Sequence, residues 1–180
     1  MRIGITGHSD SLGKGLYDFL KKNHEVFGFS RSNGYDIKQH QGILDEVLDL
    51  DVFINNTYHP IYQQVIFEDL FDLWKYQNKT IFNVLTSAIF NDGSFADYRE
   101  NKLNLQKSTL ERINTNLDKK VRIVNLYPNT LEHNKRVGHN KITFSEVYRI
   151  IEFQLSLPQN LELTHLCISR TTTLKDKTLL

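Results

Sequence analysis

Short apolar runs alternate with longer amphipathic ones along almost the whole chain, and this alternation restricts the possible fold more than any other feature. The apolar runs cover residues 2–5, 26–30, 52–55, 81–86, 121–127 and 161–169, each of strand length. Between them, residues 12–22, 41–50, 67–77, 97–117 and 144–155 carry helical periodicity. Thr143 and Glu146 have the spacing of a capping box at the start of the last helix. Strands covered on both faces and joined through helices imply an α/β fold with a parallel, doubly wound sheet. Ligands of such sheets bind beyond the carboxyl ends of the strands, where strand order reverses. Residues that follow strand ends are therefore the ones to inspect for function.

Composition narrows the class. A chain of 180 residues suffices for one domain with a sizeable core, expected over residues 1–170 with a short tail over 171–180. It is too short for a nucleotide domain joined to a separate substrate domain. A formal net charge of +1 gives no general attraction to nucleic acid or to a membrane surface. The single cysteine, Cys167, excludes an internal disulfide and a multi-cysteine metal site, and its apolar surroundings predict that it packs inside. No apolar run reaches bilayer length, and the N-terminus opens directly into a strand rather than a signal peptide. A soluble, cytoplasmic protein without a nucleic-acid or membrane partner is expected.

The first strand breaks into Thr6-Gly7-His8-Ser9-Asp10-Ser11-Leu12-Gly13-Lys14-Gly15 before apolar residues return at helical spacing. Glycines in a strand-to-helix turn let the backbone approach a ligand, and the helix's first amides point towards an anion such as a pyrophosphate. A tight turn with no ligand is the alternative. The second strand ends in Arg31, a cation where a carboxylate would grip ribose hydroxyls. That favours a 2′-phosphate, hence NADP over NAD. Lys14 could add a second positive charge, and a solvated surface cation is the other reading of both residues. Asn55-Asn56-Thr57 follows the third strand, where side-chain amides hold a ribose or shape a turn.

Tyr98 and Lys102 stand four positions apart and so share a helix face. An ammonium near a phenol favours the phenolate, which equips tyrosine for acid–base work near neutral pH. Tyr17 and Lys21 match the same spacing in the first helix, far from the strand ends, so spacing alone decides nothing. Tyr98 differs because its helix follows a strand ending in Thr86-Ser87, whose hydroxyls could reach the same substrate oxygen.

With these features in order, the chain resembles the short-chain dehydrogenase/reductase family from its start to about Ser169. The family's TGxxxGxG turn aligns on Thr6, Gly7, Ser11 and Gly13, with Ser11 where the middle glycine usually lies. Its asparagine-rich strand end resembles Asn55-Asn56-Thr57, its YxxxK motif falls on Tyr98 and Lys102, and its upstream serine falls on Ser87 or, failing that, Thr86. Its proline-glycine turn resembles Tyr127-Pro128-Asn129-Thr130, with Asn129 in place of glycine. The resemblance implies a single Rossmann-like domain that transfers hydride between NADP(H) and a small carbonyl or alcohol substrate. It implies Tyr98 as acid, Lys102 as its partner and Ser87 as a hydrogen-bond donor to the developing alkoxide. It also implies a cofactor site drawn from Thr6, Gly7, Ser11, Leu12, Gly13, Arg31, Asn55, Asn56, Tyr98, Lys102, Pro128 and Thr130.

The segment between Asn56 and Ser87 is shorter than in relatives, and no position in it matches the family's fourth catalytic asparagine; Asn78 lies too near the next strand. The helix trimmed there usually builds the family's dimer interface, so a homodimer is one possible assembly. A basic stretch, His133, Lys135, Arg136, His139 and Lys141, stands where relatives carry a substrate lid. It suits either an anionic substrate or plain solvation. The departures also leave open a non-catalytic dinucleotide-binding sensor or scaffold of the same fold. A sugar-nucleotide epimerase or dehydratase would use the same pair, but would need a further domain.

Overall fold

All six expected strands form and lie side by side in one parallel sheet of order β2-β1-β3-β4-β5-β6. They are β1 (Arg2–Thr6), β2 (Glu25–Phe29), β3 (Val52–Asn55), β4 (Thr80–Val84), β5 (Arg122–Pro128) and β6 (His165–Ile168). The computed structural model describes residues 1–90, 96–133 and 141–169, so the expected tail lies outside the described residues. Five helices cover the sheet: α1 (Ser11–Leu20), α2 (Gln41–Glu46), α3 (Tyr62–Trp74), α4 (Ala96–Thr115) and α5 (Phe144–Ser156). Among the described residues no helix is long and apolar enough to cross a membrane.

Side chains alternate across each strand, so the sheet builds two cores. On one face Ile3, Ile5, Val52, Ile54, Phe82 and Val124 pack against Leu12, Leu16 and Leu20 of α1 and Val147, Ile151 and Leu155 of α5. On the other, Phe53, Ile81 and Ile123 meet Ile66, Phe67, Leu70, Phe71 and Trp74 of α3, with Ile43 of α2 and Leu105 of α4. Helices on both faces make the sheet doubly wound. The expected capping box forms: the Glu146 amide donates to Thr143 Oγ1 (3.2 Å), and the Thr143 amide donates to Glu146 Oε2 (2.7 Å).

Several boundaries depart from the sequence reading, and one strand of the common order has no counterpart among the described residues. The commonest dinucleotide-binding order is 3-2-1-4-5-6. Here the strand that would flank β2 is missing, and residues 30–50 form two 3-10 turns (Arg31–Asn33 and Ile37–Gln39) and the short α2. Helix α2 stops at Glu46, and α3 begins at Tyr62 rather than at 67. The last strand occupies only His165–Ile168 of the expected 161–169. Because β6 is an edge strand, alternate side chains face solvent, and Cys167 is exposed rather than packed inside.

One row of the second core is polar. Asn55, Asn83 and Asn125 sit opposite one another on β3, β4 and β5, and all three are fully buried on the face towards α3 and α4. Asn55 Nδ2 donates to Asn83 Oδ1 (3.1 Å), Asn83 Nδ2 to Asn125 Oδ1 (3.4 Å) and Asn125 Nδ2 to Thr109 Oγ1 of α4 (2.8 Å). Asn55 Nδ2 also donates to the Gln63 carbonyl at the start of α3 (2.8 Å). The row thus joins three strands to two helices. Removing one amide strands its neighbours without partners in a dry core, so Asn83→Ala is expected to destabilise the fold by about 2–4 kcal/mol, read as a fall in the urea midpoint.

Candidate functional site

Chain direction reverses between β1, which feeds β2 on one side, and β3 on the other. A cleft of about 570 Å³ opens there at the carboxyl ends, lined by Thr6 and Gly7, by the turns after β2 and by Thr57, Tyr58 and His59 after β3. This is the crevice where open α/β sheets bind ligands.

The turn after β1 is built as its glycines predict. Gly7 has φ +69°, and a side chain on it would meet Thr57 Oγ1 and Asn56 Nδ2 at 2.6 and 3.1 Å. A Cβ on Gly13 would run into the Gly7 carbonyl oxygen, so helix and turn can meet this closely only at glycine. Ser11 adopts φ +48°, the left-handed conformation that the position demands and that glycine takes without strain. Thr6 is buried, and its hydroxyl accepts from the amides of Asn56 (2.9 Å) and Thr57 (3.0 Å). Asn56 Nδ2 donates to the Thr6 carbonyl (3.1 Å). Thr6 and Asn56 therefore brace the turn, and Leu12 points its side chain into the core.

Three expected contacts are corrected here. The Asn55 amide group is spent inside the sheet on Gln63 and Asn83, so its side chain does not face the cleft. Lys14 pairs with Asp18 one turn along α1, so it adds no free charge to the turn. The Asp10 carboxylate caps α1 by accepting the Ser11 amide (2.6 Å), which places a negative charge at the helix start where an anion was expected.

Arg31 and Lys38 line the outer wall of the cleft with Ser30, Ser32, Tyr35 and Asp36. That wall exists because residues 31–39 turn back over the end of β2 instead of running into another strand. The Asn33 side chain fixes the turn by donating to the Gly28 carbonyl (2.7 Å) and accepting the Ser30 amide (2.9 Å).

At the far side, Tyr98 and Lys102 come together on the first turns of α4. Lys102 is only 2 % exposed; its ammonium donates to Gln63 Oε1 (2.8 Å) and to the Val84 carbonyl (2.7 Å). The rings of Tyr58 and Tyr98 lie 5.4 and 5.6 Å from Nζ, and the two rings meet edge to face at 4.7 Å. Burial lowers the Lys102 pKa to about 7. Burial also holds the Tyr98 phenol above its ordinary value, while its hydrogen bond with Thr86 works in the opposite direction. The expected lowering of the phenol by the lysine is thus not what this geometry produces. Ser87 opens the 3-10 turn Ser87–Phe90 and donates to Asn129 Oδ1 (3.3 Å), while Thr86 Oγ1 accepts the Ala88 amide (3.2 Å).

Pro128 is buried at the end of β5, and Asn129 Oδ1 accepts the Thr130 amide (2.9 Å) in the turn beyond it. Of the expected basic stretch, Lys135, Arg136 and His139 lie outside the described residues; the His133 ring lies 5.7 Å from that of Phe144. The spare match is inert: Lys21 sits over the Tyr17 ring (5.3 Å) and pairs with Asp18 (3.1 Å). Tyr58 and Gln63 escaped the sequence reading. Tyr58 follows the asparagines as one more loop residue. Gln63 had a signal, because residues 63, 66, 67, 70, 71 and 74 share one helix face and all are buried.

No family model and no curated protein matches the sequence. Solved structures match its fold over nearly its whole length. The closed form of serine dehydrogenase complexed with NADP+ superposes at a TM-score of 0.76 with 13% identity, over 94% of this chain and 95% of that one. FolM alternative dihydrofolate reductase 1 from Brucella suis, in complex with NADP, gives 0.74 and 13%, over 93% of each chain. A short-chain dehydrogenase from Burkholderia cenocepacia J2315, also in complex with NADP, gives 0.72 and 16%, over 94% of this chain and 88% of that one. At such identities the likeness shows the fold: a Rossmann-like parallel sheet with helices on both faces.

The buried lysine has a consequence for stability. Between pH 7 and the ordinary lysine value, the unfolded chain carries a proton on Lys102 that the folded chain lacks. Stability contributed by this site therefore rises with pH across that window and is lowest below it. Urea denaturation of wild type from pH 7 upward is expected to show this climb, and Lys102→Met is expected to flatten it.

Proposed function

We propose that the chain is an NADP(H)-dependent oxidoreductase of the short-chain dehydrogenase/reductase type, acting on a small carbonyl or alcohol substrate. The observation that carries this reading is the Tyr98 ring set beside the buried Lys102 ammonium (5.6 Å) at the strand ends, next to a cleft that starts at a glycine turn. The residues fit the cofactor: the cradle at Gly7 and Gly13 is one that a Cβ would fill, and Arg31 and Lys38 supply cations for a ribose phosphate. When bound, the nicotinamide supplies or accepts the hydride.

The chain's own groups position and polarise the substrate. Tyr98 keeps its proton at neutral pH as any phenol does, and its partial burial reinforces this, which suits donation to a carbonyl oxygen in the reducing direction. Thr86 and Ser87 offer hydroxyl donors near the oxygen on which charge develops. Lys102, when protonated, stabilises the phenolate left on Tyr98 and returns a proton to it. The site is small and ends in the loop that carries Asn129 and Thr130.

A second reading, a nucleotide-binding sensor or scaffold without turnover, is favoured by one observation. The ammonium of Lys102 is covered by Tyr58 and Tyr98 and so does not face the cleft. NADPH binding by calorimetry, followed by NADPH consumption against a panel of carbonyl compounds, separates the two: tight binding with no turnover on any compound supports the sensor.

Two variants test the assignment. Tyr98→Phe should leave NADPH affinity unchanged and lower turnover by about 10²–10⁴-fold; full turnover in that variant removes Tyr98 from the chemistry. Arg31→Asp should reduce the preference for NADPH over NADH by about 10- to 100-fold, measured as the ratio of the two dissociation constants. Equal loss for both cofactors would make Arg31 a structural residue.

A further inference from the structure

The most unusual group in this site is an ammonium buried without a counter-ion. Among the described residues no carboxylate pairs with Lys102. The groups that face it are Gln63 from α3, the Val84 carbonyl from β4, the Tyr58 ring from the loop after β3 and the Tyr98 ring from its own helix. Gln63 is the one side chain among them that accepts a hydrogen bond from it. We infer that Gln63 is the positioning residue for Lys102, and that its neutral carbonyl, in place of a carboxylate, governs how firmly the lysine holds its proton. This deepens the reading of Tyr98 and Lys102 as the chemical pair, and rests on it for any effect on turnover.

The argument begins with where Gln63 stands. It is 2 % exposed, on the face of α3 that buries Ile66, Phe67, Leu70, Phe71 and Trp74. An amide at such a position costs stability unless its donors and acceptor are all engaged. They are. Gln63 Nε2 donates to two backbone carbonyls, Asn55 (3.0 Å) and Val84 (3.2 Å), and Oε1 accepts from Lys102 (2.8 Å). These contacts determine the orientation of the amide, because turning it over would set its oxygen against two carbonyl oxygens and its NH₂ against an ammonium. The Gln63 backbone carbonyl accepts in turn from Asn55 Nδ2, so the residue is anchored to the buried asparagine row.

A neutral amide is a weaker partner for an ammonium than a carboxylate would be. It fixes Nζ in space while leaving the proton easy to release, consistent with the fall of the Lys102 pKa to about 7. A carboxylate there would lock the charge on, and would set its second oxygen against the Asn55 and Val84 carbonyls that the amide now satisfies. For a lysine that must both support a phenolate and return a proton to it, the amide is the better choice.

The test uses the full-length protein with lysine side chains isotopically labelled, and reads the Lys102 titration by NMR, its signal assigned by loss in Lys102→Met. Gln63→Glu is nearly isosteric and sets an opposite charge against the ammonium, so the Lys102 pKa should rise by about one to three units. Gln63→Met keeps the volume and removes the acceptor, so the pKa should fall below the wild-type value. Opposite signs are the signature, since local unfolding would carry Lys102 up towards its ordinary value in both variants. Shifts of the same sign, or no shift in Gln63→Glu, overturn the inference; should the Met variant fail to fold, Gln63→Leu takes its place as the variant without an acceptor. NADPH titration of the wild type is read separately. Opposite shifts in a protein that binds no NADPH uphold the role of Gln63 and remove the oxidoreductase reading.

Discussion

Amide hydrogen bonds running across the middle of the sheet hold the rest of this molecule in place. Three asparagines in register on β3, β4 and β5 face two helices, and each must find partners where no water is at hand. Apolar packing is tolerant of small slides, since one buried methyl contact substitutes for another. A row of amides is not, because a shift of an ångström breaks bonds whose donors then stay desolvated. The row therefore ties α3 to the sheet through Gln63 and α4 through Thr109. Those two helices carry Lys102 itself and two of the groups that face it, Gln63 and Tyr98. The position of an ammonium near the surface of the fold is thus determined by polar contacts at its centre.

The same site balances two opposed demands. A lysine under two aromatic rings is poorly solvated, which favours its neutral form, yet the chemistry proposed for it requires the charged form for part of the cycle. A phenol held protonated by burial leans towards giving a proton rather than taking one. Tyr58 is central to this balance. It lines the cleft with its neighbours Thr57 and His59, and its ring also covers the lysine; Asn101 donates to its hydroxyl (3.3 Å). It is 41 % exposed, so it stands at the boundary between cleft and buried pair. Cleft and chemistry are therefore coupled through one side chain.

Economy at the sheet edge shapes the other half of the cleft. Without a strand beyond β2, the chain turns back at once through two 3-10 turns, and these place Arg31, Asp36 and Lys38 along the cleft wall. Tyr35, edge to face against Phe29 (5.0 Å), and Ile37 anchor that wall to the core. The unpaired edge of β2 is the cost, and a strand of five residues bordered by the Arg2 guanidinium over Phe27 keeps that edge short and charged.

What the amino-acid order determined by itself was local. Alternation with a period of two or of 3.6, the glycine turn after β1 and the Thr143–Glu146 cap all depend on residues close in sequence, and each was legible. The pairing of Tyr98 with Lys102 on one helix face was legible for the same reason. Tertiary structure alone decided the rest. Asn55 reads as a cleft residue until Asn83 and Gln63 claim its amide from 28 and 8 positions away. That the Ser87 hydroxyl meets Asn129, 42 positions on, could not be read from the sequence either. Cys167 reads as core until β6 proves to be an edge. Gln63 drew no reading at all, and its role appears only when it meets a lysine 39 positions on. Conformational preference is transmitted through neighbouring bonds and leaves its mark in the sequence, whereas the partner of a buried polar group is chosen only when distant segments meet and exclude water.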